Sequence, residues 1–201
     1  RIAPNFVLGL IGGRRQGKST GMADLIIRMK KRFSLIIAFV GSAACNPVLE
    51  TLMKQHWDPR FFFSKWEPAI IDRLLEQQEH LKRNNQTRNI LILVDDVIMT
   101  SQADEQLASM AMRGRHFRIS LAMCSVSYTT LPKRARRSLD TLLVFSCPMK
   151  GDMQIFDKAR LNSNLQEGTK FNLDELTKSE ILYVKVDEVQ EPLWLSENSH
   201  G

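Results

Sequence analysis

Gly12-Gly13-Arg14-Arg15-Gln16-Gly17-Lys18-Ser19-Thr20 is the stretch on which the reading of this chain turns. It fits G-x-x-x-x-G-K-[ST], a loop whose backbone N–H groups cradle phosphate oxygens. Glycine permits the tight turn that such a nest requires. Lys18 brings a point charge for β- and γ-phosphates and Ser19 a hydroxyl for Mg²⁺, so ATP and Mg²⁺ are the expected cofactors, with the loop from Gly12 to Thr20 lining the nucleotide. On the amino-terminal side, residues 6–11 are an apolar run stopped by Gly12, the mark of a buried strand. On the other side Met22, Leu25, Ile26 and Met29 recur at helical spacing, and Lys30-Lys31-Arg32 suits the negative end of that helix. Strand, loop and helix in this order are the context the motif demands, and the helix N-terminus adds its own attraction for phosphate.

A second apolar run, residues 90–94, passes directly into Asp95 and Asp96. A strand that ends in an acid places a carboxylate at the carboxyl edge of the sheet, where the phosphate loop also lies. Asp95 is expected to hold Mg²⁺ through water, and Asp96 to orient or deprotonate the attacking water. Residues 35–40 form another buried strand, closed by Gly41, that falls between the loop strand and the acid strand in sequence. An intervening strand together with a second acid is the pattern of motor-type NTPases, the additional-strand class. The chain carries neither the N-K-x-D motif of G proteins nor the L-S-G-G-Q signature of ABC transporters, and it shows no lid segment of the kind a small-molecule kinase closes over its acceptor.

The rest of the chain extends the alternation. A brief strand is expected at 60–63, and a helix with Trp66, Ile70, Ile71, Leu74, Leu75 and Leu81 on its apolar face. After a turn at 84–87 come a helix at 103–113 stopped by Gly114, a strand at 119–125, a basic helical turn opened by Pro132, and a strand at 141–146. A short helix plus loop is expected at 47–57, a helical stretch near 156–161, and edge strands at 180–186 and 193–195. Strands apolar on both faces alternating with helices predict an α/β fold, a mainly parallel central sheet flanked by helices.

With 201 residues, 43% hydrophobic and 25% charged, the chain suits one domain over 1–201 with its own core. No apolar run is long enough for a transmembrane segment. The start, Arg1-Ile2-Ala3-Pro4, has no signal-peptide pattern and no initiator Met, as in a trimmed piece of something longer. Cys45, Cys124 and Cys147 are odd in number and lack C-x-x-C spacing, which reads as buried free thiols in a reducing compartment. A net charge of +6 and a pI near 9.4 favour a polyanionic partner.

Two basic clusters flank the strand at 119–125: Arg113-Gly114-Arg115-His116-Phe117-Arg118 before it and Lys133-Arg134-Ala135-Arg136-Arg137 after it. An arginine in either could stabilise γ-phosphate charge across a subunit interface. Others could contact backbone phosphates without reading sequence. Ser125, at the end of the strand beside the acid strand, stands where a polar side chain senses the γ-phosphate. His116 has no partner at ligand spacing, and Trp57, Trp66 and Trp194 are not interleaved with basic residues, so they read as packing.

The order of phosphate loop, Asn46-Pro47, residues 90–96, Gly114-Arg115-His116, residues 119–128 and Pro132 to Arg136 resembles the genome-packaging ATPases of large double-stranded DNA viruses. These belong to the FtsK–HerA superfamily of RecA-like motors. The likeness runs from about residue 5 to 150, and its specific part is the block 113–120 with Ser127-Tyr128, Pro132 and Arg136 beyond it. It implies a RecA-like P-loop NTPase fold and a homo-oligomeric ring that hydrolyses ATP to drive double-stranded DNA into a capsid. Lys18 and Ser19 would bind nucleotide and Mg²⁺, Asp95 and Asp96 would serve hydrolysis, and Arg115 or Arg136 would act in trans. Capsid or membrane-vertex proteins of a virion are the further partners, and a virion or the host-cell site of virus assembly is the location. The family often carries Gln where this chain has Val126, which leaves sensing to Ser125 or Ser127. The alternative is a nucleotide-dependent switch or assembly factor with protein partners and no DNA translocation.

Overall fold

The computed structural model describes residues 5–41, 51, 55, 58–145, 151–152, 171–172 and 180–183. In chain order the elements are β1 (Val7–Ile11), α1 (Lys18–Met29), a 3₁₀ turn at Lys30–Arg32, β2 (Leu35–Val40), and a 3₁₀ turn at Pro59–Phe61 leading into β3 (Phe62–Phe63). There follow α2 (Pro68–Arg83), β4 (Ile90–Asp95), α3 (Ser101–Arg113), a 3₁₀ turn at Gly114–Phe117, β5 (Ile119–Ser125), α4 (Lys133–Arg136), β6 (Thr141–Val144), β7 (Phe171–Asn172) and β8 (Glu180–Tyr183). Local chemistry sets the boundaries. Pro68 opens α2 with its φ already helical, and the Thr100 hydroxyl accepts the Ala103 N–H at 3.2 Å to cap α3.

The strands form one sheet in the order β3-β2-β4-β5-β1-β6-β8-β7, parallel throughout except for the β7–β8 pair. The strand inserted between the loop strand and the acid strand is therefore β5. The 35–40 strand intervenes in sequence only; in the sheet it lies outside β4. Because these strands are parallel, β1, β4 and β5 deliver the phosphate loop, Asp95 and Ser125 to one carboxyl edge. The strand expected at 180–186 forms β8, with β7 beyond it on the outer side.

Alternate side chains of each strand point to opposite faces. Leu8, Leu10, Leu91, Leu93 and Ala122 pack with Met22, Ala23 and Ile26 of α1. Val7, Ile11, Ile92, Val94, Leu121 and Met123 pack on the other face with Ile71 and Leu74 of α2, Leu107 and Met110 of α3 and Ala135 of α4. Each such Leu or Ile, taken fully out of water, contributes about 1.5–3 kcal/mol. Trp66 is a core residue, its ring 4.7 Å from that of Phe39 and its indole N–H donating to Gln106 Oε1 at 2.9 Å. Among the described residues no helix is long and apolar enough to cross a membrane. Asn46-Pro47, Cys45, Cys147, Trp57, Trp194, the stretch near 156–161 and the strand at 193–195 lie outside the described residues, as does most of 47–57.

Candidate nucleotide and magnesium site

The candidate phosphate loop joins β1 directly to α1, the strand–loop–helix order expected from the sequence. Gly17 sits at φ +80°, left-handed backbone that costs glycine nothing, and it starts α1 with no side chain capping the first turn. No acidic residue lies in that turn, so its N–H groups are left for an anion. Arg15 also has positive φ, at +61°, and with Arg14 stands exposed on the outer rim, while Gln16, Ser19 and Thr20 are half-buried. Lys18 folds back over the loop, its ammonium donating to the carbonyls of Gly12 at 2.7 Å and Gly13 at 2.6 Å. The Gly12 N–H donates to the Ser125 carbonyl at 3.3 Å, which ties the loop to the end of β5.

The second half of the site meets the first directly. Ser19 Oγ donates to Asp95 Oδ2 at 3.1 Å, joining residues 76 positions apart. Asp95 is 4% exposed. Burial pushes its carboxyl above the usual carboxylate range; the Ser19 hydroxyl opposes this, the Asp96 charge adds to it, and Lys18 and the Cys124 thiol pull it back. A desolvated carboxylate and a hydroxyl within bonding distance are the hard oxygen donors that Mg²⁺ prefers, and the buried negative charge favours a cation beside it. Ser19 and Asp95 therefore fit the expected Mg²⁺.

Asp96 turns the chain away from the sheet. Its backbone is left-handed, at φ +52°, and its side chain is exposed beside Asp95 at the mouth of the site. Room for this turn is made by Gly41 at the end of β2. Its N–H donates to the Asp95 carbonyl at 2.9 Å, and a Cβ at position 41 would stand 2.1 Å from the Asp96 carbonyl oxygen. In the sequence Gly41 reads only as a strand stop.

Cys124 was also missed as a neighbour of the site. It lies opposite Asp95 in the β4–β5 register, with its Sγ 3.5 Å from Met22 Sδ of α1. Burial, and then the Asp95 charge, push its thiol well above the usual range, so it stays protonated. Nothing in the sequence marks this contact, because it depends on how β4 and β5 align.

Ser125 is half-buried at the end of β5, and its hydroxyl is bonded to that of Thr130. Ser127 is buried and turned into its own loop, with its Oγ 2.8 Å from Thr129 Oγ1. Of the two serines, Ser125 is the one next to the phosphate loop. Arg136 is half-buried, its guanidinium carbon 5.2 Å from the centre of the Tyr128 ring. Tyr128 is held in turn by its N–H, which donates to buried Asp152 at 2.8 Å. Arg115 is exposed in the turn before β5, at the opposite edge of the sheet from Lys18 of its own chain. His116 is exposed in the same turn.

Comparison with known proteins bears on this geometry. The sequence model described as "Poxvirus A32 protein" matches residues 2–167. No curated protein sequence matches the chain. Among solved structures, the cytoplasmic domain of EssC superposes with a TM-score of 0.66 at 16% identity, covering 94% of this chain and 42% of that one. EssC ATPases 2 and 3 from Geobacillus thermodenitrificans give 0.61 at 17% identity, with 96% and 42% covered. The genome packaging NTPase B204 of Sulfolobus turreted icosahedral virus 2, in complex with AMP, gives 0.53 at 15% identity, with 85% and 92% covered. The chain thus spans about two fifths of the EssC structures and most of B204. At these identities the likeness shows a shared fold.

Proposed function

This chain belongs to the poxvirus A32 protein family, and on that premise we propose that it is an ATP-hydrolysing motor that moves double-stranded viral DNA into a capsid. The observation that carries the reading is the meeting of Lys18, Ser19 and Asp95 at one edge of the sheet, through the 3.1 Å bond from Ser19 to Asp95. The loop N–H groups and the first turn of α1 bind the phosphates, and Lys18 exchanges its two loop carbonyls for β- and γ-phosphate oxygens. Ser19 and Asp95 would hold Mg²⁺, which when bound would neutralise charge on those oxygens. Asp96, exposed at the mouth, accepts a hydrogen bond from the attacking water and takes its proton. Ser125 directs its hydroxyl at the γ-phosphate and registers its loss.

The arginines act between copies of the chain in a homo-oligomeric ring. Arg115 lies too far from its own loop to serve it: β5 alone has 7 residues, about 23 Å at strand rise. It presents its charge to a neighbour's γ-phosphate, the expected gain from such an arginine being large. Arg136, stacked on Tyr128, is the second candidate. Residues 1–201 act as one ATPase domain. Capsid or membrane-vertex proteins at the site of virion assembly are its protein partners.

The test is steady-state turnover of ATP with and without duplex DNA at low salt, alongside sizing of the assembly. Stimulation by DNA supports the motor. Turnover that ignores DNA, with no salt-dependent binding, rejects it and leaves a nucleotide-driven switch. Lys18→Ala is expected to lose nucleotide binding and at least about a hundredfold in turnover, the scale of removing one preorganised charge. A variant hydrolysing within a few-fold of the parent would show that the loop is not the site.

A further inference from the structure

The edge of the sheet opposite the nucleotide site gathers positive charge from three segments far apart in sequence. The Lys30–Arg32 turn precedes β2, Arg88 precedes β4, and the 113–118 cluster precedes β5, and these strands are neighbours in the order β2-β4-β5. Hydrogen bonds lock the segments side by side. The Ser34 N–H donates to the Asn89 carbonyl at 2.8 Å, Asn89 Nδ2 donates to the Arg32 carbonyl at 3.2 Å, and the Ile90 N–H donates to the Arg118 carbonyl at 3.0 Å. From α2, Gln78 donates through one Nε2 to both the Arg88 carbonyl at 2.7 Å and the Phe117 carbonyl at 2.6 Å. Gln78 is 1% exposed, so this is a buried staple beneath an exposed row.

Lys31, Arg32, Lys82, Arg88, Arg115 and Arg118 are all exposed on that row. The nearby acids Glu79 and Asp24 are already paired with Arg83 at 3.1 Å and Arg28 at 2.8 Å. Lys82 is held 5.7 Å above the Phe117 ring, which joins the end of α2 to the same turn. Three strand starts spaced about 4.8 Å apart put the segments within some 10 Å of one another, before side-chain reach is added. Cations at that density on rigid backbone fit a closely spaced row of phosphates.

We infer that the amino-terminal edge of the sheet, built from the starts of β2, β4 and β5, is the surface on which this chain holds the phosphate backbone of duplex DNA. The inference rests on the DNA-motor reading and locates its DNA contact. It places polymer and nucleotide at opposite ends of the same strands, with β4 running from Ile90 to Asp95 and β5 from Ile119 to Ser125. Arg115, assigned to a neighbour's site, is left out of the test.

The experiment compares two variants of the full chain, each losing three positive charges. The edge variant carries Lys31→Gln, Arg88→Gln and Arg118→Asn, asparagine being tolerant of the left-handed backbone at φ +53°. The control carries Lys133→Gln, Arg134→Gln and Arg137→Gln on α4. Binding to a mixed-sequence duplex of about 30 base pairs is followed by anisotropy between about 50 and 200 mM salt. Basal turnover and melting temperature report that both variants are folded. The edge variant is expected to bind roughly tenfold or more weakly at the lower salt, with a salt slope shallower by about 2–3, while the control changes less and basal turnover stays at the parent's level. Equal losses in the two variants, or a larger loss in the control, overturn the assignment while leaving DNA binding intact. A parent chain that binds no duplex overturns both the surface and the motor reading. Vesicles containing anionic lipid provide the last arm: an edge variant that loses vesicle binding but keeps DNA binding would make this a membrane-facing surface and overturn the inference.

Discussion

The two edges of the sheet are made in different ways. At the carboxyl edge the central polar groups of the candidate nucleotide site have particular partners: Lys18 is held by two carbonyls, Ser19 by Asp95, and the Gly12 N–H by the Ser125 carbonyl. The acid at its centre is almost fully buried. At the amino edge the backbone is pinned just as firmly, through Asn89 and Gln78, yet the charged side chains stand out in solvent. A buried constellation with fixed partners suits one small ligand in one pose. An exposed row on a rigid base suits a repeating charge whose exact register does not matter. Strands β4 and β5 connect the two edges, so one rigid layer carries both kinds of site.

The comparison can be broken most sharply at Arg115, which stands on the amino edge but is assigned to catalysis in a neighbour. Arg115→Ala is expected to lower turnover by about 10³ or more, and doping it into parent subunits should depress activity beyond simple dilution. Loss in strict proportion to the variant's fraction would return Arg115 to the exposed row and leave the carboxyl edge catalytically self-sufficient. Next in size is Asp96→Asn, expected to bind ATP normally and lose about 10²–10⁴ in turnover, the usual worth of a general base. Normal hydrolysis by that variant would remove Asp96 from the mechanism. Gly41→Ala tests how tightly the carboxyl edge is built. A Cβ 2.1 Å from the Asp96 carbonyl forces the acid-bearing backbone to move, because the obstacle is main chain. The expected costs are about 1–3 kcal/mol of stability, a melting temperature lower by several degrees, and impaired turnover. An unchanged protein would mean that the β2–β4 ends separate freely.

These contrasts also mark what could be read from the sequence. The strand and helix around the candidate phosphate loop were legible because its motif needs particular residues at fixed local spacing between two apolar runs. Asp95 was legible as the acid ending a buried strand. Strand order was only half legible: the chain places β2 between β1 and β4, whereas the sheet places β5 there, since pairing is decided by tertiary packing. Gly41 and Cys124 matter through neighbours on other strands, and no spacing rule points to such contacts. The amino-edge row was hidden for the same reason. Its cations are scattered over 30–32, 82–88 and 113–118, and only the parallel order of β2, β4 and β5 brings them together. Arg136 could be counted as a charge but not seen as a side chain stacked on Tyr128.

The subtlest expected difference between the edges is a pH effect on stability, confined to the carboxyl edge. Burial raises the Asp95 carboxyl above its ordinary value, so the folded, nucleotide-free chain holds that proton more tightly than the unfolded chain does. Below the ordinary carboxylate value of roughly 4, both states are protonated and the residue costs nothing. As pH rises from there through the elevated folded value, the unfolded chain releases the proton first, and stability contributed by the neutral acid is lost. Asp95→Asn cannot ionise, so its melting temperature should gain on the parent's as pH climbs through this window and then hold a constant lead. Mg²⁺ with nucleotide should erase the lead, since it favours the ionised carboxylate of the parent and has no such partner in the variant. The measurement is thermal melting of both proteins across that range, with and without Mg²⁺ and nucleotide. A lead that shrinks with rising pH, or one that Mg²⁺ and nucleotide leave untouched, would mean that the buried acid is satisfied by its protein neighbours alone and was not built around a metal.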